Sequence, residues 1–141
     1  MKNHDITLAK SFLGKENRVL LIVKHGEVIF SSSKNGIQPF FDALDTRSKN
    51  EYLGCSIADK VIGKAALMLA AYLGAKGVYT PLASQHAVDA GQALTLDLKA
   101  DAVVPYIINR QGDGMCPMEE AVLDIDEPEA AFIALKRRLE T

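Results

Sequence analysis

The clearest alternation of apolar and polar positions lies early in the chain. Residues 18–24 (Arg18-Val19-Leu20-Leu21-Ile22-Val23-Lys24) are rich in β-branched side chains and read as a buried strand. His25-Gly26 supplies a tight turn, and Glu27-Val28-Ile29-Phe30-Ser31 returns as a second strand, so the pair predicts a β-hairpin. The densest apolar stretch comes later, from Val61 to Leu73, with apolar residues on every face rather than in one stripe. That pattern predicts a helix over about 58–73, covered by protein on most sides. Asp59, Lys60, Gly63 and Lys64 then fall in its first turn and are nearly its only polar groups.

The other segments follow from the same periodicities. Residues 4–14 predict a short amphipathic helix with Asp5 as its cap and Gly14 as its stop. A helix is expected over 37–44, with Pro39 in its first turn, and 45–53 reads as polar linker. Residues 77–80 predict a short strand, and a helix is expected from Pro81 to Ala90. Residues 93–98 alternate as a strand, whereas Pro105 counts against a central strand over 103–109. A short helix over 116–122 and a final one over 127–139, with Ala131, Phe132, Leu135 and Leu139 as its stripe, complete the order. Strands mixed with helices in this way predict an α/β sandwich whose mixed sheet has the hairpin at one edge.

Length and composition narrow the function classes. At 141 residues one domain spanning 1–141 is expected, with room for a real core. A net charge of −2 gives no polybasic footprint, so no nucleic-acid partner is expected. The longest apolar run is too short for a bilayer and is broken by Lys64, so no membrane partner is expected either. The first residues, Met1-Lys2-Asn3-His4-Asp5, lack the apolar core of a secretion signal, and a cytoplasmic location is expected. Cys55 and Cys116 make no disulfide framework, which agrees with a reducing compartment.

Candidate chemistry gathers at the mouth of the apolar helix. Charge there must be paired, bound to a ligand, or wet. Lys60 and Lys64 oppose the helix dipole, and one explanation is an anion such as phosphate held at the helix N-terminus, with Gly63 permitting close approach. The alternative is a lysine that snorkels outward or pairs with Asp59 or Glu119. This is not a P-loop, because the glycine-rich lead and the Ser/Thr after the lysine are missing. Asp59 reads as a catalytic base or ligand, or as an ordinary first-turn acid worth about 1 kcal/mol. Cys116 opens a helix, where the dipole favours a reactive thiolate, although free cysteines are more often small buried hydrophobes. Asn109, Arg110 and Asp113 lie in a glycine-bounded loop as ligand contacts or as turn chemistry. Ser84 caps the helix it begins and joins the ligand-binding set. His4, His25 and His86 assemble no Ser/His/Asp triad by spacing.

Two blocks carry a resemblance: Ala58-Asp59-Lys60-Val61-Ile62-Gly63-Lys64-Ala65-Ala66, and Val104-Pro105-Tyr106-Ile107-Ile108-Asn109-Arg110 through Gly114-Met115-Cys116-Pro117-Met118-Glu119. With them the chain resembles, over nearly its whole length, a family of uncharacterised bacterial proteins, a domain of unknown function with a cytidine-deaminase-like fold. The resemblance implies a three-layer α/β/α sandwich and a homodimer or larger homo-oligomer. Zinc deaminases carry His or Cys, then Glu two residues on, at the start of the central helix, and Pro-Cys-x-x-Cys at the helix after the next strand. Here Asp59 and Val61 stand near the first pair, and Pro81-Leu82-Ala83-Ser84 near the second, with both cysteines absent. A catalytic zinc needs about three protein ligands, so the sequence argues against the standard zinc site and names no other cofactor. A substitute metal site from Asp59, Cys116 and Glu119 matches no recognised spacing.

The resulting expectation is a binding protein for a nucleotide-like or phosphorylated small molecule. Asp59 would orient or ligate, Lys60 and Lys64 would hold anionic groups with Gly63 allowing close approach, and Asn109, Arg110, Cys116 and Glu119 would close the pocket, with Ser84 also among the ligand-binding residues. The alternatives are a divergent deaminase or hydrolase whose catalytic residues are Asp59, Cys116 and Glu119, and a non-catalytic interaction module.

Overall fold

The computed structural model describes residues 3–140. Met1 and Lys2, part of the leader reading, lie outside the described residues. The hairpin forms as its pattern predicts, with β1 (Leu20–Lys24) antiparallel to β2 (Glu27–Ser32). His25 and Gly26 both have positive φ, as a two-residue hairpin turn requires. Asp5 does not cap the first helix, α1 (His4–Phe12), as expected. Its carboxylate accepts the backbone N–H groups of His25 at 3.0 Å and Gly26 at 2.9 Å, and Asn3 accepts the Ile6 N–H in its place at 3.1 Å.

The largest departure from the sequence reading lies in residues 56–63. Ser56–Asp59 and Val61–Ile62 are strands β3 and β4, and the central helix α4 begins only at Lys64 and runs to Tyr72. Asp59 and Lys60 are therefore strand-end residues, not first-turn residues. β3 pairs antiparallel with β1 and parallel with β5 (Gly77–Ser84), and β4 also pairs parallel with β5. Ala58 faces Tyr79 and Val61 faces Leu82, the same offset, so β3 and β4 form one line interrupted at Asp59 and Lys60. β6 (Asp97–Val104) lies on the other side of β5.

Pro81 explains the interruption. It stands inside β5 instead of opening a helix, and a proline has no N–H for the ladder. The β5–β6 pairing passes from Thr80 opposite Ala100 to Leu82 opposite Ala102 and skips it. Thr80 repairs the gap locally: its hydroxyl donates to the Leu82 carbonyl at 3.0 Å and accepts the Leu82 N–H at 3.2 Å. The helix expected from Pro81 begins instead at Gln85 as α5 (Gln85–Ala93), with Ser84 Oγ accepting the Ala87 N–H. The strand expected over 93–98 starts later, at Asp97, and takes in Val103 and Val104.

Helices cover both faces of this mixed sheet. Successive strand residues alternate between them, as a pleat dictates. Val23, Ala58 and Tyr79 pack with Ala9 of α1 on one face. Ile22, Ile57 and Val78 point to the other, where α4 lies against the sheet. Outside α4 are α2 (Gln38–Thr46), α6 (Pro117–Ala121) and α7 (Pro128–Leu139). All of Lys64–Ala70 is buried, which accounts for the all-round apolar pattern. The polar 45–53 segment contains one turn of helix, α3 (Lys49–Tyr52), whose Tyr52 is fully buried and donates to the Ala43 carbonyl at 2.5 Å. No helix among the described residues is long and apolar enough to cross a membrane.

Because Leu67 on α4 is fully buried in the main core, Leu67→Ala is expected to destabilise the fold by about 2–5 kcal/mol. Urea unfolding checks this as a lowered midpoint with an unchanged slope.

Candidate functional site

The strand line breaks at Asp59, and a cleft of about 710 Å³ opens beside the break. Asp59, Gly63, Ile107, Arg110 and Cys116 line it, together with Gln38 from the far wall. The ends of the parallel strands β3 and β4 meet it, which is where open α/β sheets bind ligands.

Glu119 builds the floor. Its side chain is 1% exposed, yet each oxygen is engaged. Oε2 accepts the Lys64 N–H at 2.6 Å and the Ser84 hydroxyl, and Oε1 accepts the Ile107 N–H at 2.8 Å. The anion expected at the mouth of α4 is thus this chain's own carboxylate, placed where free N–H groups and the helix dipole favour it. Gly63 serves that same contact: a Cβ there would lie 2.8 Å from Glu119 Oε2 and 2.9 Å from Ile107 Cγ1. Lys64 sends its ammonium to the Leu123 carbonyl at 2.7 Å, and Ser84 is fully buried between Glu119 and Ala87. The structure therefore gives Lys64 and Ser84 internal partners, while Gly63 touches the cleft mainly to admit Glu119.

Asp59 has a different environment. It is 4% exposed at the end of β3, and burial pushes its carboxyl up to about 8. Hydrogen bonds from the Val61 and Lys60 N–H groups pull the other way but do not offset the desolvation. Burial therefore favours the neutral acid, a form able both to donate and to accept. Lys60 is exposed between β3 and β4, its N–H bonded to the Val19 carbonyl at 3.1 Å.

The loop over 105–116 forms one wall. Asn109 is mainly turn chemistry: its Oδ1 accepts the N–H groups of Gly112 and Asp113, and its Nδ2 donates to Asp113 at 2.9 Å. Arg110 lines the cleft with no ion pair among the described residues. Cys116 sits at the N-cap of α6, half-buried, with its N–H on the Ile107 carbonyl at 2.7 Å. Cys55 lies elsewhere in the core, where burial pushes its thiol up to about 12 and disfavours the thiolate.

Zinc, which the deaminase resemblance implies, does not fit these residues. Glu119 spends its oxygens on three donors, and no group of three or more His, Cys, Asp and Glu converges among the described residues. Asn35 and Gln38, which also line the cleft, are absent from the sequence-based set. They come from a polar loop and a helix start far from residue 59 in the chain, and spacing carries no signal that they meet.

A family model described as TM1506, a domain of unknown function (DUF1893), matches residues 8–139. The crystal structure of a DUF1893 family protein (TM1506) from Thermotoga maritima, at 2.70 Å resolution, matches with a TM-score of 0.83 and 24% identity. The match covers 97% of this chain and 92% of that one, and at such identity it speaks for the fold alone. Comparison with curated proteins gives no match.

Two outcomes follow from this geometry. Gly63→Ala is expected to destabilise the protein by about 1–3 kcal/mol through overpacking against Glu119 and Ile107, measured by urea unfolding. Asp59 has a folded value of about 8 against an ordinary 3.8, so between these values the folded state holds a proton that the unfolded chain has lost. Its contribution is complete below the lower value and is lost as pH rises to the upper one. Asp59→Asn is therefore expected to flatten the fall in stability between pH 5 and pH 8 (roughly the span of the linkage), checked by unfolding midpoints across that range.

Proposed function

The chain belongs to the DUF1893 family, and we propose that it binds a nucleotide-like small molecule in the cleft beside Asp59. One observation carries this reading: a buried carboxyl, held only by backbone N–H groups and with its neutral form favoured by burial, faces a cleft that is otherwise mostly apolar. Such an acid can donate through one oxygen and accept through the other, matching the adjacent donor and acceptor on the edge of a heterocyclic base. Val19, Ile107 and Met118 offer apolar surface to a flat ring, and Arg110 and Lys60 supply positive charge for an anionic substituent. The fold enters this reading as deaminase-like in layout with the metal chemistry replaced: Glu119 joins the start of α4 to the start of α5, where a deaminase would hold zinc.

A second reading, an enzyme of altered mechanism, is favoured by Asp59 and Cys116 sharing the same cleft. A carboxyl with a value near 8 is matched to acid–base work at neutral pH.

The test is a binding screen of nucleosides and nucleotides by native mass spectrometry, followed by isotherms on variants. Asp59→Leu is expected to weaken nucleoside binding at least about tenfold. Arg110→Ala should weaken nucleotides more than nucleosides. Lys64→Met should lower stability and leave the affinity unchanged, because its ammonium is already on Leu123. Saturable binding that ignores Asp59→Leu would overturn the reading.

A further inference from the structure

The sheet is open where the cleft begins. β1 pairs with β3 only as far as Leu20 opposite Asp59. β4 has β5 on one side and no strand on the other. A second concavity of about 460 Å³ lies nearby, against α1. It is lined by Lys10, Lys60 and Tyr79, with Leu13, Val61 and Leu82 as apolar neighbours. Lys60 and Val61 also line the first cleft, so the two concavities meet around the bare edge of β4.

Two cations face this second concavity. Lys10 stands over the Tyr79 ring, 4.7 Å from its centroid. The Tyr79 hydroxyl donates to Asp101, a residue that does not line the concavity. Lys60 Cε lies 4.0 Å from where a Cβ on Gly14 would be, so its stem runs toward the end of α1. Neither ammonium has a carboxylate within ion-pair distance among the described residues, in a chain whose net charge is −2. A solvated lysine needs no partner. Two that share a concavity floored by Leu13, Val61, Pro81 and Leu82, however, can act on one anion together. The cation–π contact fixes Lys10 without neutralising it.

We propose that Lys10 and Lys60 form a phosphate site that takes the phosphoryl group of a ligand whose remaining part lies in the Asp59 cleft. The inference rests on the binding reading above for the second half of that statement, but not for the anion site itself. The phosphoryl oxygens accept from both ammonium groups, and the ligand passes around β4 over Val61, which is 43% exposed. Lys60, at the strand break, is the residue common to both halves.

Inorganic pyrophosphate, titrated into ¹⁵N-labelled protein at low ionic strength, tests the site. Saturable amide shifts are expected at Lys60, Val61 and Leu82. Lys10→Ala and Lys60→Ala, both at exposed positions, should each weaken the apparent affinity about tenfold. Lys76→Ala, at the other end of β5, should have no effect. Absence of saturation at millimolar pyrophosphate, unchanged affinity in the Lys10/Lys60 double variant, or equal shifts from chloride at matched ionic strength would overturn the proposal. Adenosine and its monophosphate then separate the two halves. Tighter binding of the monophosphate, lost in the double variant while adenosine binding persists, supports the linked site. An equal affinity for both in the native protein overturns the link, even where pyrophosphate binds. Loss of adenosine binding in Asp59→Leu alone, with pyrophosphate unaffected, assigns the two effects to separate residues.

Discussion

The carboxylate of Glu119 ties together the segments that build the cleft. Three chain segments meet at it: the start of α4 through the Lys64 N–H, the start of α5 through Ser84, and the cleft wall through the Ile107 N–H. A buried carboxylate is costly unless its lone pairs are filled, and these three donors are otherwise groups that a buried helix start and a loop would leave unpaired. Each donor and the acceptor thus solve one another's problem. The arrangement requires Gly63, since any side chain there would collide with Glu119. It also places α6, which carries Glu119, against α4 and sets the height of the cleft.

That role changes the meaning of the charges in the neighbourhood. Lys64 looked like a residue waiting for an anion because it opens an apolar helix. In three dimensions its ammonium reaches past the helix to a carbonyl at the end of the α6 segment, and its own backbone N–H holds the anion. Asp59, by contrast, reads in sequence either as a catalytic base or ligand or as a first-turn capping acid, and it caps nothing. It lies on a strand end with no ion pair among the described residues, and desolvation dominates its chemistry. The buried Asp59 carboxyl thus lines the cleft with only backbone N–H partners, while the Lys64 ammonium is held by the Leu123 carbonyl.

The legible parts of the fold were those governed by local rules. The hairpin follows from β-branched runs about His25-Gly26, and the final helix from the spacing of Ala131, Leu135 and Leu139. The deep burial of α4 follows from its lack of a polar face. The start of α4 was illegible because a fully buried parallel strand and a buried helix are both continuous apolar runs. Ile57, Ala58, Val61 and Ile62 satisfy either, and only pairing with β1 and β5, distant in sequence, decides. The region of the cleft was legible, because Asp59, Gly63, Arg110, Cys116 and Glu119 were all singled out. Their division of labour was not, since which carboxyl meets which N–H depends on how the loop over 105–116 folds back.

Pro81 shows how one residue can place a site. In a central strand it removes a donor from the ladder, and Thr80 supplies the repair within its own strand. The neighbouring line therefore lapses at Asp59 and Lys60. On the β1 side Asp59 stays opposite Leu20 and the Lys60 N–H reaches the Val19 carbonyl, and from there the carboxyl lines one concavity and the lysine both. The lapse is confined to the β5 side, where neither residue has a partner. The proline thus trades a ladder hydrogen bond for a gap, and that gap is where both concavities begin.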